Sequence, residues 1–117
     1  RYTGDDKFIV GGIEHRYGFT IGCDRSIVNF GPGYALFNLD GKYSKMICDV
    51  GRVDGPKGDA TVITTSEDGI VNQTFEVSGS IPSQPIEINL NYAGDLRITV
   101  DADSTLDYGF FDIYFYE

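Results

Sequence analysis

Apolar and polar residues alternate with a period of two along most of this chain, and no window of about 11 residues carries an apolar stripe at helical spacing. The pattern predicts a protein of strands, with helix a minor component at most. The cleanest cases are Ile86, Ile88 and Leu90 against Glu87, Asn89 and Asn91, and Leu96, Ile98 and Val100 against Arg97, Thr99 and Asp101. Each has one dry and one wet face, as in antiparallel sheets packed on one side. The short link Tyr92-Ala93-Gly94-Asp95 predicts that these two strands form a hairpin. A second hairpin is predicted from Ala60–Thr65 and Ile70–Val77, because Asp68-Gly69 between them readily supplies the positive φ angles of a tight turn.

Further strands are expected at Phe8–Val10, Ile13–Tyr17, Phe19–Gly22, Tyr34–Leu39, Ser44–Val50 and Phe110–Tyr116, with Asp40-Gly41-Lys42 turning the chain between two of them. Short strands at this spacing, with no internal repeat or Pro-rich linker, predict a single all-β antiparallel sandwich or jelly roll spanning residues 1–117. In the last strand, strict alternation places Phe111, Ile113 and Phe115 on one face and Phe110, Asp112, Tyr114 and Tyr116 on the other. Aromatics on both faces mean that one set is covered by a second layer or left partly exposed.

Composition sharpens this picture. The chain has 117 residues, 41% of them hydrophobic, enough for one core, and 15 Gly spread among turns. Nine Lys and Arg against 18 Asp and Glu give a net charge of -9, and the basic residues form no run, so nucleic acids and anionic membranes are disfavoured partners. No stretch approaches the roughly 20 apolar residues of a membrane-spanning helix. The start RYTGDDKF has neither a signal-peptide core nor an initiator Met, and the chain reads as a module excised from a larger secreted protein. Cys23 and Cys48 are too few for a disulfide framework or, with the single His15, for a four-ligand zinc site; one bridge or two buried thiols remain open.

Candidate chemistry is sparse. There is no G-x-S-x-G elbow, phosphate-binding Gly loop or H-E-x-x-H, so the chain is not read as an enzyme; catalysis would have to rest on paired carboxylates, and nothing in the spacing demands it. Asp101, Asp103 and Asp107 have the spacing to converge on Ca²⁺ as a structural ion, but Leu106 stands where a calcium loop turns on Gly. The other reading is a solvated acidic loop. Exposed tyrosines such as Tyr114 and Tyr116 suit the C–H face of a pyranose, or simply cover the edge of the sandwich. No Trp is present, so tyrosines would provide the stacking. His15, Arg16, Tyr17, Arg52, Asp54 and Tyr108 are the candidate ligand contacts, read as loop residues. Asn72-Gln73-Thr74 is a formal glycosylation sequon.

Three stretches, Gly12-Ile13-Glu14-His15-Arg16-Tyr17-Gly18-Phe19-Thr20, Ala35-Leu36-Phe37-Asn38-Leu39-Asp40-Gly41-Lys42-Tyr43-Ser44-Lys45 and Asp49-Val50-Gly51-Arg52-Val53-Asp54, resemble in order and spacing the NPCBM family of carbohydrate-binding modules. The resemblance continues through Asp59–Val77, Ile81–Pro85 and Leu96–Ala102. It implies a galactose-binding-like jelly roll attached to bacterial secreted or surface glycosidases and related proteins, binding sugar through loops at one end. Two departures bear on the site. Gly22 stands where the glycan-binding members carry a His, and Tyr108-Gly109-Phe110-Phe111-Asp112 replaces a His-Ala-Asp-Trp-like stretch. The sequence therefore leaves two functions open: a module tethering its parent protein to a carbohydrate, and a structural or protein-interaction module that keeps the fold without the sugar site.

Overall fold

A computed structural model describes residues 6–25, 30–53, 60–78, 83–102 and 105–117, and the elements below are those of the described residues. Ten strands form: β1 (Asp6–Val10), β2 (Ile13–Arg25), β3 (Phe30–Gly31), β4 (Gly33–Asn38), β5 (Lys45–Arg52), β6 (Ala60–Glu67), β7 (Ile70–Ser78), β8 (Gln84–Asn89), β9 (Asp95–Ala102) and β10 (Leu106–Tyr116). They make two antiparallel sheets. One runs β1-β2-β10-β5-β8, with β3 also paired to β2, and the other runs β4-β9-β6-β7.

Alternation gives each sheet one apolar face, and the two faces close on each other to hide that surface from water. Phe19, Ile21, Met46, Val50 and Phe110 from the larger sheet meet Ile63, Leu96, Ile98 and Val100 from the smaller in one core. Phe19 and Phe110 stack at 4.7 Å between ring centres. Cys23 and Cys48 are both buried and unbridged. Burial, helped by the neighbouring Asp49 charge, pushes the Cys48 thiol up to about 12. It is a small apolar filler at any ordinary pH.

The turns follow their residues. Gly11-Gly12, Asp40-Gly41 and Asp68-Gly69 all take positive φ, the last pair closing the β6–β7 hairpin as predicted. The strands expected at 13–17 and 19–22 are one strand, β2, with Tyr17 at a φ of 60° where it bends.

The predicted hairpin of 86–90 with 96–100 does not form. β8 pairs with β5, whereas β9 lies between β4 and β6 in the other sheet. Residues 90–94 instead carry the chain across the sandwich: Leu90 N–H donates to Ser44 O, Tyr92 N–H to Tyr43 O and Leu39 N–H to Gly94 O. Both strands do have the dry face expected of them. Two such faces are satisfied equally well side by side or opposed across a core, so alternation alone cannot choose the partner.

Strict alternation also misassigns the last strand. The pairing of β10 with β5 slips between Phe111 and Tyr114, with Asp112 at a φ of 50°, and this bulge resets the faces. Tyr108, Phe110, Ile113 and Phe115 thus join the main core, while Phe111 belongs to a small separate cluster with Phe8, Val10 and Val53. That cluster lies on the outer face of the larger sheet. Gly18 and Gly109 leave it bare for the Phe8 ring, which a Cβ at either position would strike.

The free edges of β7 and β8 are joined by side chains. Asn72 Nδ2 donates to Asn89 O at 3.0 Å, Gln73 Nε2 to Glu87 O at 3.3 Å, and Gln73 Oε1 accepts from Asn89 N–H at 2.7 Å. The amide groups replace a backbone ladder that the sheets, being separate, do not make.

Candidate ligand-binding surfaces

β2, β5, β7 and β9 all run toward one end of the sandwich, where Cys23 pairs with Leu106, Arg52 with Tyr108, Val50 with Gln84 and Ala60 with Ser78. The segments that follow these strands are residues 26–29, 53–59, 79–83 and 103–105. The opposite end holds the tight turns at residues 40–41, 68–69 and 91–92.

At the first end, Arg52 and Tyr108 are cross-strand neighbours on the inner face. Tyr108 is only 1% exposed and is a core residue rather than the loop contact expected from the sequence. Its position in β10 two residues before Phe110 puts its ring on the inward side, where it packs in the main cluster. Its hydroxyl, one guanidinium nitrogen of Arg52 and the hydroxyl of Thr61 on β6 are buried and make no hydrogen bond among the described residues. An unpaired buried polar atom costs about 1–3 kcal/mol, so three at one rim mark a place built to meet further polar partners. Asp54 lies outside the described residues.

His15, Arg16 and Tyr17 are on strand β2, not in a loop, and His15 faces the outer side of the larger sheet. The imidazole of His15 stacks on Phe111, with ring centres 3.7 Å apart, and tilts against Phe8 at 5.9 Å. Arg16 is exposed and pairs with Glu14 at 3.7 Å; Tyr17 is exposed at the bend. Because Phe111 and Tyr108 face opposite sides of β10, His15 and Arg52 do not belong to one site. The structure brings a different residue to His15, namely Asp49, and sets Asp112 beside Asp49. Partial burial and then the Asp112 carboxylate hold Asp49 above its ordinary value, with His15 offsetting part of the rise. Sequence reasoning missed this pair because Asp112 reaches the outer face only through the bulge.

The carboxylates read as a calcium set separate in the same way. Asp101 is on β9, paired with Val62, and Asp107 is on β10, paired with Gly22, in different sheets, and Asp103 is outside the described residues. Among the described residues no three His, Cys, Asp or Glu side chains gather as a metal set.

The turn end carries a cleft of about 280 Å³ bordered by Glu67, Asp68, Ile70, Asn72, Asn91 and Tyr92 among others. None of these was singled out as a contact from sequence. The available signal is on β6, whose inward positions are Thr61, Ile63, Thr65 and Glu67, an unusually polar set for a core face.

No family model matches the chain, and no curated protein matches it. Solved structures do. The chain aligns over 96% of its length, at a TM-score of 0.66 and 12% identity, with a structure of the CBM51-2 and INT domains of ZmpB from Clostridium perfringens, covering 25% of that chain. It aligns over 95% of its length, at a TM-score of 0.63 and 13% identity, with the ZmpB M60 catalytic domain carrying CBM51-1 and CBM51-2, covering 12% of that chain. A third match, at a TM-score of 0.59 and 12% identity, covers 91% of this chain and 25% of a structure of CBM51-2 in complex with GlcNAc and the INT domain. This chain therefore has the β-sandwich fold of a CBM51 module, and it spans a quarter or less of the chains it matches.

Proposed function

We propose that the protein is a non-catalytic carbohydrate-binding module that holds a larger secreted or cell-surface protein at a glycan. The observation that carries this reading is the shared fold, over nearly all of the chain, with chains that contain CBM51 modules, one of them solved with GlcNAc. The resemblance to NPCBM sequences points the same way. We assign the glycan to the end of the sandwich at Arg52, with Asp54 two residues further along the chain as its companion. A sugar hydroxyl both donates and accepts, so it can satisfy a guanidinium N–H and a tyrosine or threonine hydroxyl in turn. Tyr108 backs Arg52 from the core. His15, Arg16 and Tyr17 stand apart along β2 and would meet a glycan only if its chain extended around the sheet. Tethering follows from local concentration: a module bound weakly to a polymer still keeps its attached partner near that polymer.

The test is a glycan array probed with the isolated module, with Ca²⁺ and again with chelator, at concentrations that register roughly millimolar binding. Binding is expected, and Arg52→Ala should weaken it about tenfold or more while leaving the melting transition cooperative. Dependence on Ca²⁺ would bring Asp101, Asp103 and Asp107 back as a cation set. Silence of the folded module under both conditions would overturn the reading in favour of a protein-interaction module.

A further inference from the structure

The cleft at the turn end poses a separate problem. Glu67 ends the inward row of β6 and pairs with Leu96, so strand alternation drives its carboxylate into the closing rim of the core. Both carboxylate oxygens are buried and neither makes a hydrogen bond. Burial accordingly raises its pKa; the nearby Asn72 amide offsets part of this, and Asp68 adds to it. Asp68 itself is fully engaged, accepting from Asp95 N–H at 2.9 Å and Gly94 N–H at 3.3 Å. Among the described residues of the cleft, Glu67 thus keeps acceptor capacity that the Asn72 amide meets only in part.

We propose that this cleft is a second ligand site and that it takes one neutral saccharide ring. Four observations define that chemistry. Glu67 offers two adjacent acceptor oxygens, the geometry that a pair of neighbouring sugar hydroxyls fills as donors. Asn91 adds an amide group, which both donates and accepts as hydroxyls require, while the Asn72 nitrogen is already engaged with Asn89 O. Tyr92, 56% exposed on the rim and held at a φ of 59°, presents an aromatic ring beside exposed Ile70, a surface for the C–H side of a pyranose. Among the described residues no Lys or Arg borders the cleft, so a uronic or sialic acid would meet the Glu67 and Asp68 carboxylates with no cation to offset them. A small ammonium would pair with Glu67 but leave the amide donors unmet. At about 280 Å³ the cleft sits at the small end of ligand sites, which limits it to a single ring.

The site lies at the opposite end of the sandwich from Arg52, on a molecule 37 Å in its longest dimension. Two sites so placed would let one module engage two glycan branches, or two chains, at once. The existence of the second site stands on its own chemistry; only this bivalence rests on the function proposed above.

The experiment is a backbone-amide NMR titration of the whole chain with galactose and with N-acetylglucosamine. Saturable shifts are expected at Glu67, Asn91 and Tyr92 with a millimolar midpoint, weakened tenfold or more in Glu67→Gln and in Tyr92→Ala. Glu67→Gln removes a desolvated charge without changing shape, so it is expected to fold at least as well as the parent. The absence of shifts at these residues up to roughly 100 mM of either sugar would overturn the proposal, even if residues near Arg52 respond. A response to ethylamine but to neither sugar would overturn the ligand class. Shifts at Glu67 that persist in Arg52→Ala, when that variant has lost glycan-array binding, would uphold the second site and separate it from the first.

Discussion

The two ends of this sandwich are held by different means. At the turn end the connections carry positive φ at Gly11-Gly12, Asp40-Gly41, Asp68-Gly69 and Asn91-Tyr92, and backbone groups close on each other: Leu39 N–H to Gly94 O, Asp68 N–H to Asp95 O, Ala93 N–H to Leu90 O. At the Arg52 end the strands stop with polar side chains pointed inward and unpartnered. The difference teaches that a connection whose backbone groups close on one another satisfies its own polar needs, whereas polar side chains turned inward at a strand end leave work for a ligand. Glu67 is the exception at the turn end, and that is why it carries the second proposal.

The largest expected effect tests whether the ends belong to one cooperative unit. Phe110 packs between them against Phe19, and Phe110→Ala should cost about 3–5 kcal/mol, with chemical-denaturation curves followed by probes at either end moving together. Separate transitions would break the comparison into two independent halves. Next in size, Asp68→Ala removes two hydrogen bonds from the crossover between the sheets and should cost about 1–2 kcal/mol. It should loosen hydrogen exchange at Gly94 and Asp95 and leave the amides around Arg52 unchanged; loss of protection at both ends would contradict their independence. The smallest effect lies on the outer face. Asp49 has a raised folded-state pKa, so its contribution is fully favourable only below the unfolded value of about 3.9 and is lost as pH rises through the folded value. Asp49→Asn should therefore raise the melting temperature slightly at pH 7 and not at pH 3, with neither end altered.

Strand positions were largely legible because each carries its own alternation, as in Leu96, Ile98 and Val100, all fully buried. Partners were not. The pattern at Ile86–Leu90 records a dry face but not which sheet owns it, and the short link at 92–95 suggested a hairpin where the chain crosses over. The two-residue strand β3 is too short to show any period. The candidate site was less legible still, since a single bulge at Asp112 changes which aromatics beyond it face outward, and Tyr108, read as a loop contact, lies within β10 on its inward side. Arg52, read as a loop residue, is the last residue of β5. Glu67 escaped notice because a carboxylate closing a strand beside Asp68-Gly69 looks like ordinary turn chemistry until the inward row is seen whole.

The amide stitching of β7 to β8 has a consequence for how molecules of this protein meet one another. An open strand edge is a template for addition of a foreign strand, and long apolar edges propagate into fibres. Here Asn72 and Gln73 occupy the very groups of Glu87 and Asn89 that an incoming strand would need, and Pro85 withholds an N–H near the start of the same edge. The barrier to self-assembly on this side therefore resides in two side chains. Asn72 is also the acceptor of the sequon, so secretion through a glycosylating host would attach a sugar to the nitrogen that donates to Asn89 O and unpick one stitch, an argument for a bacterial source of protein.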